Sequence, residues 1–174
     1  MKKVAVFGKP GSGKSTLSKK LALATGIELH AIDSILYKKN GEEIDRQSYL
    51  EAHEGILSSD TWIIEGFGPM NSLDSFNRRL EQADTLVYIE LSYSATYWLV
   101  TKRLLKGLIL KPEGWPDGSS VLKGTIESYK VLKLCPKFWN DKFLQRLEKL
   151  SINKSLHVVR SISELNHFIE KNVR

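Results

Sequence analysis

Residues 3 to 16 read Lys3-Val4-Ala5-Val6-Phe7-Gly8-Lys9-Pro10-Gly11-Ser12-Gly13-Lys14-Ser15-Thr16. An apolar strand runs straight into G-x-x-x-x-G-K-S, from Gly8 to Ser15, and that pattern is a mechanism as well as a motif. Backbone N–H groups of such a loop curl around a di- or triphosphate. The Lys14 ammonium reaches the β- and γ-phosphates, and the Ser15 hydroxyl is placed to ligate Mg²⁺. A helix opening at Gly13 adds its positive dipole end to the same anion. Both flanks agree with this reading. Lys3–Phe7 has the composition of a buried strand, and Leu17, Leu21 and Ala24 recur at helical spacing until Gly26 stops the run. A nucleoside triphosphate is the ligand this stretch predicts, held by the loop residues Gly8, Pro10, Gly11, Ser12, Gly13, Lys14 and Ser15.

Outward from the loop, strand and helix signals alternate, which argues for a parallel sheet covered on both faces. Ile27–Ile32 reads as a second strand ending at Asp33, and Asp45 as the N-cap of a helix carrying Tyr49, His53, Ile56 and Leu57. Thr61–Ile64 is the third strand, ending at Glu65-Gly66; a helix through Phe76 and Leu80 leads to the fourth, Thr85–Glu90. A long helix starts near Ser94 and carries Trp98, Leu99, Arg103 and Leu105. The Pro- and Gly-dense stretch Lys111–Gly118 marks a lid-like excursion at about 107–120 from a single domain spanning 1–174. Helix resumes to about Leu150 with a break near Pro136, Leu156–Val159 is the fifth strand, and Ser161-x-x-Glu164 caps a closing helix.

Composition is that of an ordinary soluble globular protein: 41% hydrophobic and 26% charged in 174 residues. The single cysteine, Cys135, rules out an intramolecular disulfide and fits a reducing, cytoplasmic setting, with structural filler as its expected role. The N-terminus enters the first core strand directly, so no secretory signal is expected. The longest apolar run, Tyr97–Leu110, is interrupted by Lys102, Arg103 and Lys106, and no membrane partner is expected. The net charge of +6 alone gives a nucleic-acid partner only weak support, because a pocket for phosphorylated or acidic substrates also needs positive charge.

In an open α/β sheet, ligands sit beyond the carboxyl ends of the strands, which draws attention to Asp33, Glu65 and Arg160. Glu65 is the expected acid organising Mg²⁺ together with Ser15. Glu90 competes for the role, and Gly66 favours Glu65 by letting a ligand approach the backbone. Asp33 is the expected acceptor-binding carboxylate. It takes the proton if the acceptor is a hydroxyl and only binds if the acceptor is itself a phosphate. Lys102, Arg103 and Lys106 fall on adjacent turns of one helix beside the excursion, a placement suited to cations that close over a transferring phosphoryl group. Of the neighbouring pair Arg78 and Arg79, Arg79 joins Asp33, Glu65 and Gly66 in the expected acceptor set. Trp62, Trp98 and Trp139 are expected in the core, and Trp115, between two prolines, over a ligand. The four histidines have no metal-ligand spacing.

Taken in order, Gly8–Ser15, Ile32-Asp33, Trp62-Ile63-Ile64-Glu65-Gly66, Arg79–Thr85, Lys102-Arg103-Leu104 and Val158-Val159-Arg160-Ser161 resemble the adenylate-kinase-related proteins known as DNA topology modulation (FlaR-type) proteins. That resemblance covers nearly the whole chain. It implies the nucleotide-kinase-like P-loop fold, a three-layer α/β/α arrangement with a five-stranded parallel sheet, the phosphate loop on a central strand, and a short lid. It also implies that Gly11, Gly13, Lys14, Ser15 and Thr16 bind ATP and that Arg103 belongs to the lid. Two departures stand out. Where adenylate kinases carry Asp-Gly-Phe-Pro-Arg, this chain has Glu65-Gly66-Phe67-Gly68-Pro69 without the arginine, and the short lid has Lys111 where an arginine is expected.

The residues together predict a cytoplasmic kinase, monomeric or weakly dimeric, that transfers the γ-phosphoryl of Mg·ATP to a small molecule. Lys14, Asp33 and Arg103 are its catalytic set. The acceptor stays open among nucleosides, nucleotides, sugars and hydroxy acids. The competing expectation is an ATP-binding regulator contacting DNA or a protein without phosphorylating a metabolite. A degenerate, inactive kinase is the third.

Overall fold

A computed structural model describes residues 1–37, 42–107 and 121–172. Strands β1 (Lys3–Gly8), β2 (Leu29–Ala31), β3 (Trp62–Glu65), β4 (Thr85–Ile89) and β5 (Ser155–Val159) form one sheet in the order β2-β3-β1-β4-β5. Every pairing is parallel. Helices α1 (Lys14–Thr25), α2 (Ile32–Leu36), α3 (Arg46–Leu57), α4 (Leu73–Gln82), α5 (Tyr93–Gly107), α6 (Val121–Leu134), α7 (Asp141–Leu150) and α8 (Ile162–Asn172) connect them. The three-layer α/β/α sheet expected from the alternating signals is therefore present.

Strand alternation divides the core. Val4 and Val6 of β1 point to the face covered by Leu17 and Leu21 of α1 and Leu165, Phe168 and Ile169 of α8. Ala5 and Phe7 point to the opposite face, against Tyr49, Phe76, Leu80 and Leu147 of α3, α4 and α7. An aromatic group fills that second face: the Phe7 ring meets Phe76 edge-on at 5.5 Å and stacks on Tyr88 at 5.6 Å, with Trp139 and Phe143 closing over them. Each such pair adds about 0.5–1.5 kcal/mol beyond its buried area.

The expected caps form. Asp45 accepts from Ser48 N at 3.0 Å and starts α3, and Ser161 Oγ accepts from Glu164 N at 3.0 Å and starts α8. Pro136 ends α6 through a single 3₁₀ turn, Cys135–Lys137.

Two expectations are corrected. The second strand is shorter than Ile27–Ile32. Ile32 and Asp33 instead begin α2, because Ser34 Oγ turns back onto Ala31 O at 2.7 Å and Tyr37 N closes on Asp33 O at 3.1 Å. Trp98 is 61% exposed, not core. Helix α5 buries Thr96 and Val100, and a residue two positions away from each projects about 200° around the axis. The Lys111–Gly118 excursion and Trp115 lie outside the described residues.

Candidate active site

Strand β1 is flanked on both sides, with β3 continuing to α4 on one side and β4 to α5 on the other, so its carboxyl end opens at the switch point of the sheet. The phosphate loop leaves β1 there, and Gly13 caps α1 in a left-handed conformation at φ 85°. Helix α5 comes close enough to set the loop's composition. At Gly11, φ +74°, a Cβ would lie 2.6 Å from Val100 Cγ2 and 3.2 Å from the Thr96 carbonyl oxygen. Only glycine satisfies both the backbone angle and the packing.

In register with Val6, Glu65 ends β3 beside this loop. Its Oε1 lies 3.6 Å from Lys14 Nζ, and its Oε2 accepts a hydrogen bond from Ser15 Oγ at 3.3 Å. The carboxylate is almost enclosed, with the Glu65 side chain 9% exposed. Glu90, the competing acid, is engaged elsewhere: its Oε2 pairs with Arg160 Nε at 3.2 Å. The loop lysine, the loop serine and one strand-end acid thus meet at Glu65. At Gly66, φ +118°, a Cβ would sit 3.0 Å from Ile32 Cβ, so the backbone angle and the packing both favour glycine there.

Asp33 lies exposed in the first turn of α2. Across from it, Arg103 of α5 donates from Nη2 to Ser128 Oγ of α6 at 2.9 Å. Burial lowers the Arg103 pKa from its usual value, and the Asp33 charge partly offsets this, so the two groups share one electrostatic neighbourhood. Lys102 and Lys106 point to solvent. Nearby, Tyr37 donates to Glu43 Oε1 at 3.0 Å, and burial with that bond raises the phenol to about 12.

Arg79 departs from its expected role. The side chain is fully buried, and Nη2 donates inward to the Phe67 carbonyl at 2.7 Å, so it presents no surface to an acceptor. Arg78 is a surface residue paired with Glu54 at 2.7 Å. Sequence reasoning missed Lys9, which is 4% exposed with Nζ 4.7 Å from the centre of the Tyr93 ring; burial lowers its pKa despite the Glu90 charge. A lysine between the first glycine and the proline of the loop was the available signal.

Among the described residues no group of three or more His, Cys, Asp or Glu side chains could hold a metal ion by itself. The Ser15 hydroxyl and Glu65 carboxylate suit Mg²⁺, a hard cation that takes one or two protein oxygens and completes its shell with phosphates and water.

This sheet order, with a phosphate loop on its central strand, defines a P-loop kinase fold. Solved structures agree. Shikimate kinase from Acinetobacter baumannii, determined with shikimate, aligns with a TM-score of 0.57 at 15% identity, covering 98% of this chain and 90% of its own. Shikimate kinase from Bacteroides thetaiotaomicron aligns with a TM-score of 0.51 at 11% identity, covering 97% and 94%. A sugar kinase from Janibacter sp. reaches a TM-score of only 0.42 at 18% identity, over 98% and 88%, and carries no weight. At these identities the likeness is one of fold. No family model matches the chain, and no curated protein matches its sequence.

Proposed function

We propose that this protein is a kinase transferring the γ-phosphoryl group of Mg·ATP to a hydroxyl of a small molecule. The observation that carries the reading is the meeting of Lys14 and Ser15 with Glu65 at the mouth of the phosphate loop. The loop N–H groups and the α1 N-terminus bind the phosphates, with Gly8, Pro10, Gly11, Ser12, Gly13 and Thr16 shaping the cradle. Ser15 and Glu65 are the residues that would hold Mg²⁺, which would supply charge neutralisation at the phosphates.

Asp33 accepts a hydrogen bond from the acceptor hydroxyl and takes its proton as the new O–P bond forms and the bond to the ADP oxygen breaks. Lys14 stabilises the charge developing on that leaving oxygen, and Arg103 attends the transferring group from α5. Products are ADP and the phosphorylated acceptor. The FlaR-type resemblance supports the same nucleotide chemistry, and the lone buried Cys135 suits a cytoplasmic setting. The test is ADP release from Mg·ATP across nucleosides, nucleotides, sugars and hydroxy acids, shikimate included. Stimulation by one class, lost in Lys14→Ala, supports the reading; a rate indifferent to every acceptor and to Lys14 opposes it.

A further inference from the structure

Arg79 is a buried cation with few partners. One guanidinium nitrogen, Nη2, donates to Phe67 O at 2.7 Å; the Phe76 ring centre lies 5.1 Å away; Nε and Nη1 have no hydrogen-bond partner among the described residues. Such an arrangement is a poor way to stabilise a core, because apolar side chains of similar volume commonly serve as well or better. Its position points to another use. Phe67 is two residues beyond Glu65, and the intervening Gly66 and the following Gly68 both have positive φ, 118° and 105°. The Phe67 ring is held by Phe76 of α4 at 4.7 Å and Trp139 at 5.3 Å, and the Arg79 bond to the Phe67 carbonyl adds a tie from α4 to the main chain between the two glycines. The guanidinium also attracts Glu65. Burial lowers Arg79 to about 10, with Tyr49 and Glu65 opposing the shift, so it stays charged at neutral pH.

We propose that Arg79 is a positioning residue for Glu65: it holds the Phe67 carbonyl and supplies a buried positive charge behind the strand end. The Glu65 carboxylate is thereby fixed where Lys14 and Ser15 meet it. Arg79 touches neither nucleotide nor acceptor. The inference rests on the reading in which Glu65 organises Mg²⁺.

The experiment measures binding of a fluorescent ATP analogue to the whole chain in Mg²⁺ and in EDTA, with thermal unfolding recorded for each variant. The readout is the ratio of the two affinities, which a merely structural role would not move. Glu65→Gln is expected to lose about tenfold of the Mg²⁺ benefit, and Arg79→Met a similar factor with metal-free affinity within about twofold. Arg79→Gln keeps a donor for Phe67 but no charge, and loses part of the benefit; it also decides the matter if the Met variant does not fold. Arg79 variants that keep the full benefit while Glu65→Gln loses it overturn the proposal and leave the Glu65 reading standing. Equal weakening with and without Mg²⁺ reduces Arg79 to a structural residue and also overturns it. A Glu65→Gln protein with an unchanged ratio overturns the underlying reading.

Discussion

Lys14 Nζ lies 3.6 Å from Glu65 Oε1, joining the phosphate loop to the end of the neighbouring strand through a side chain pair that is mostly shielded from water. The pair makes the length of the acid matter. Glu65→Asp keeps the charge but withdraws it by one methylene. The Mg²⁺ concentration for half-maximal turnover is expected to rise about three- to tenfold, and further in Glu65→Gln. A variant that needs no more Mg²⁺ than the parent contradicts the metal role.

In the proposed reaction, Asp33→Asn keeps the side-chain shape and removes the group assigned as proton acceptor. If the substrate presents a hydroxyl, kcat should fall by about 10²- to 10⁴-fold while the affinity for ATP stays within about twofold. Steady-state kinetics paired with nucleotide titration separates the two. Comparable loss of ATP affinity would move Asp33 out of the acceptor role.

Much of this site is legible in the sequence, because the loop, the strand ends and the helix starts are local signals. Gly8–Ser15 declares itself by spacing, and the Asp45 and Ser161 caps by residue type. What the chain conceals is set by distant contacts. Glu65 and Glu90 both end apolar strands, with Gly66 alone favouring Glu65, and it takes the folded arrangement to give Arg160 to Glu90 and Lys14 to Glu65. Arg79 reads as an acceptor-binding arginine because nothing local shows that Phe67 turns its carbonyl inward to receive it. Ile32 looks like the last residue of a strand, since a short apolar run has no period by which to tell strand from helix.

His53 gives the protein an acid-sensitive core. The ring is fully buried, its nitrogens have no hydrogen-bond partner among the described residues, and burial, aided by Arg79 and Arg78, lowers its pKa from 6.5 to about 4. Below about pH 6.5 the unfolded chain protonates this ring while the folded protein does not. Its contribution is therefore complete above pH 6.5 and declines as pH falls towards 4, by about 3 kcal/mol in all. Chemical denaturation between pH 4 and 7.5 should show that slope, and His53→Leu should flatten it.

Gly11→Ala tests how closely α5 presses on the loop. A Cβ at φ +74°, 2.6 Å from Val100 Cγ2, must displace either the loop or the helix. Stability is expected to fall by about 1–3 kcal/mol, and ATP affinity with it. Val100→Ala in the same background should restore part of both, since it removes the atom in the way.

The most direct measurement follows the label from γ-³²P-ATP into products with a panel of acceptors, for the parent and for Lys14→Ala. A phosphorylated product from one acceptor class, formed about 10²- to 10³-fold more slowly by the variant, is the predicted result. Label released only as inorganic phosphate, at a rate that no acceptor changes, would contradict a kinase; so would a Lys14→Ala protein as active as the parent.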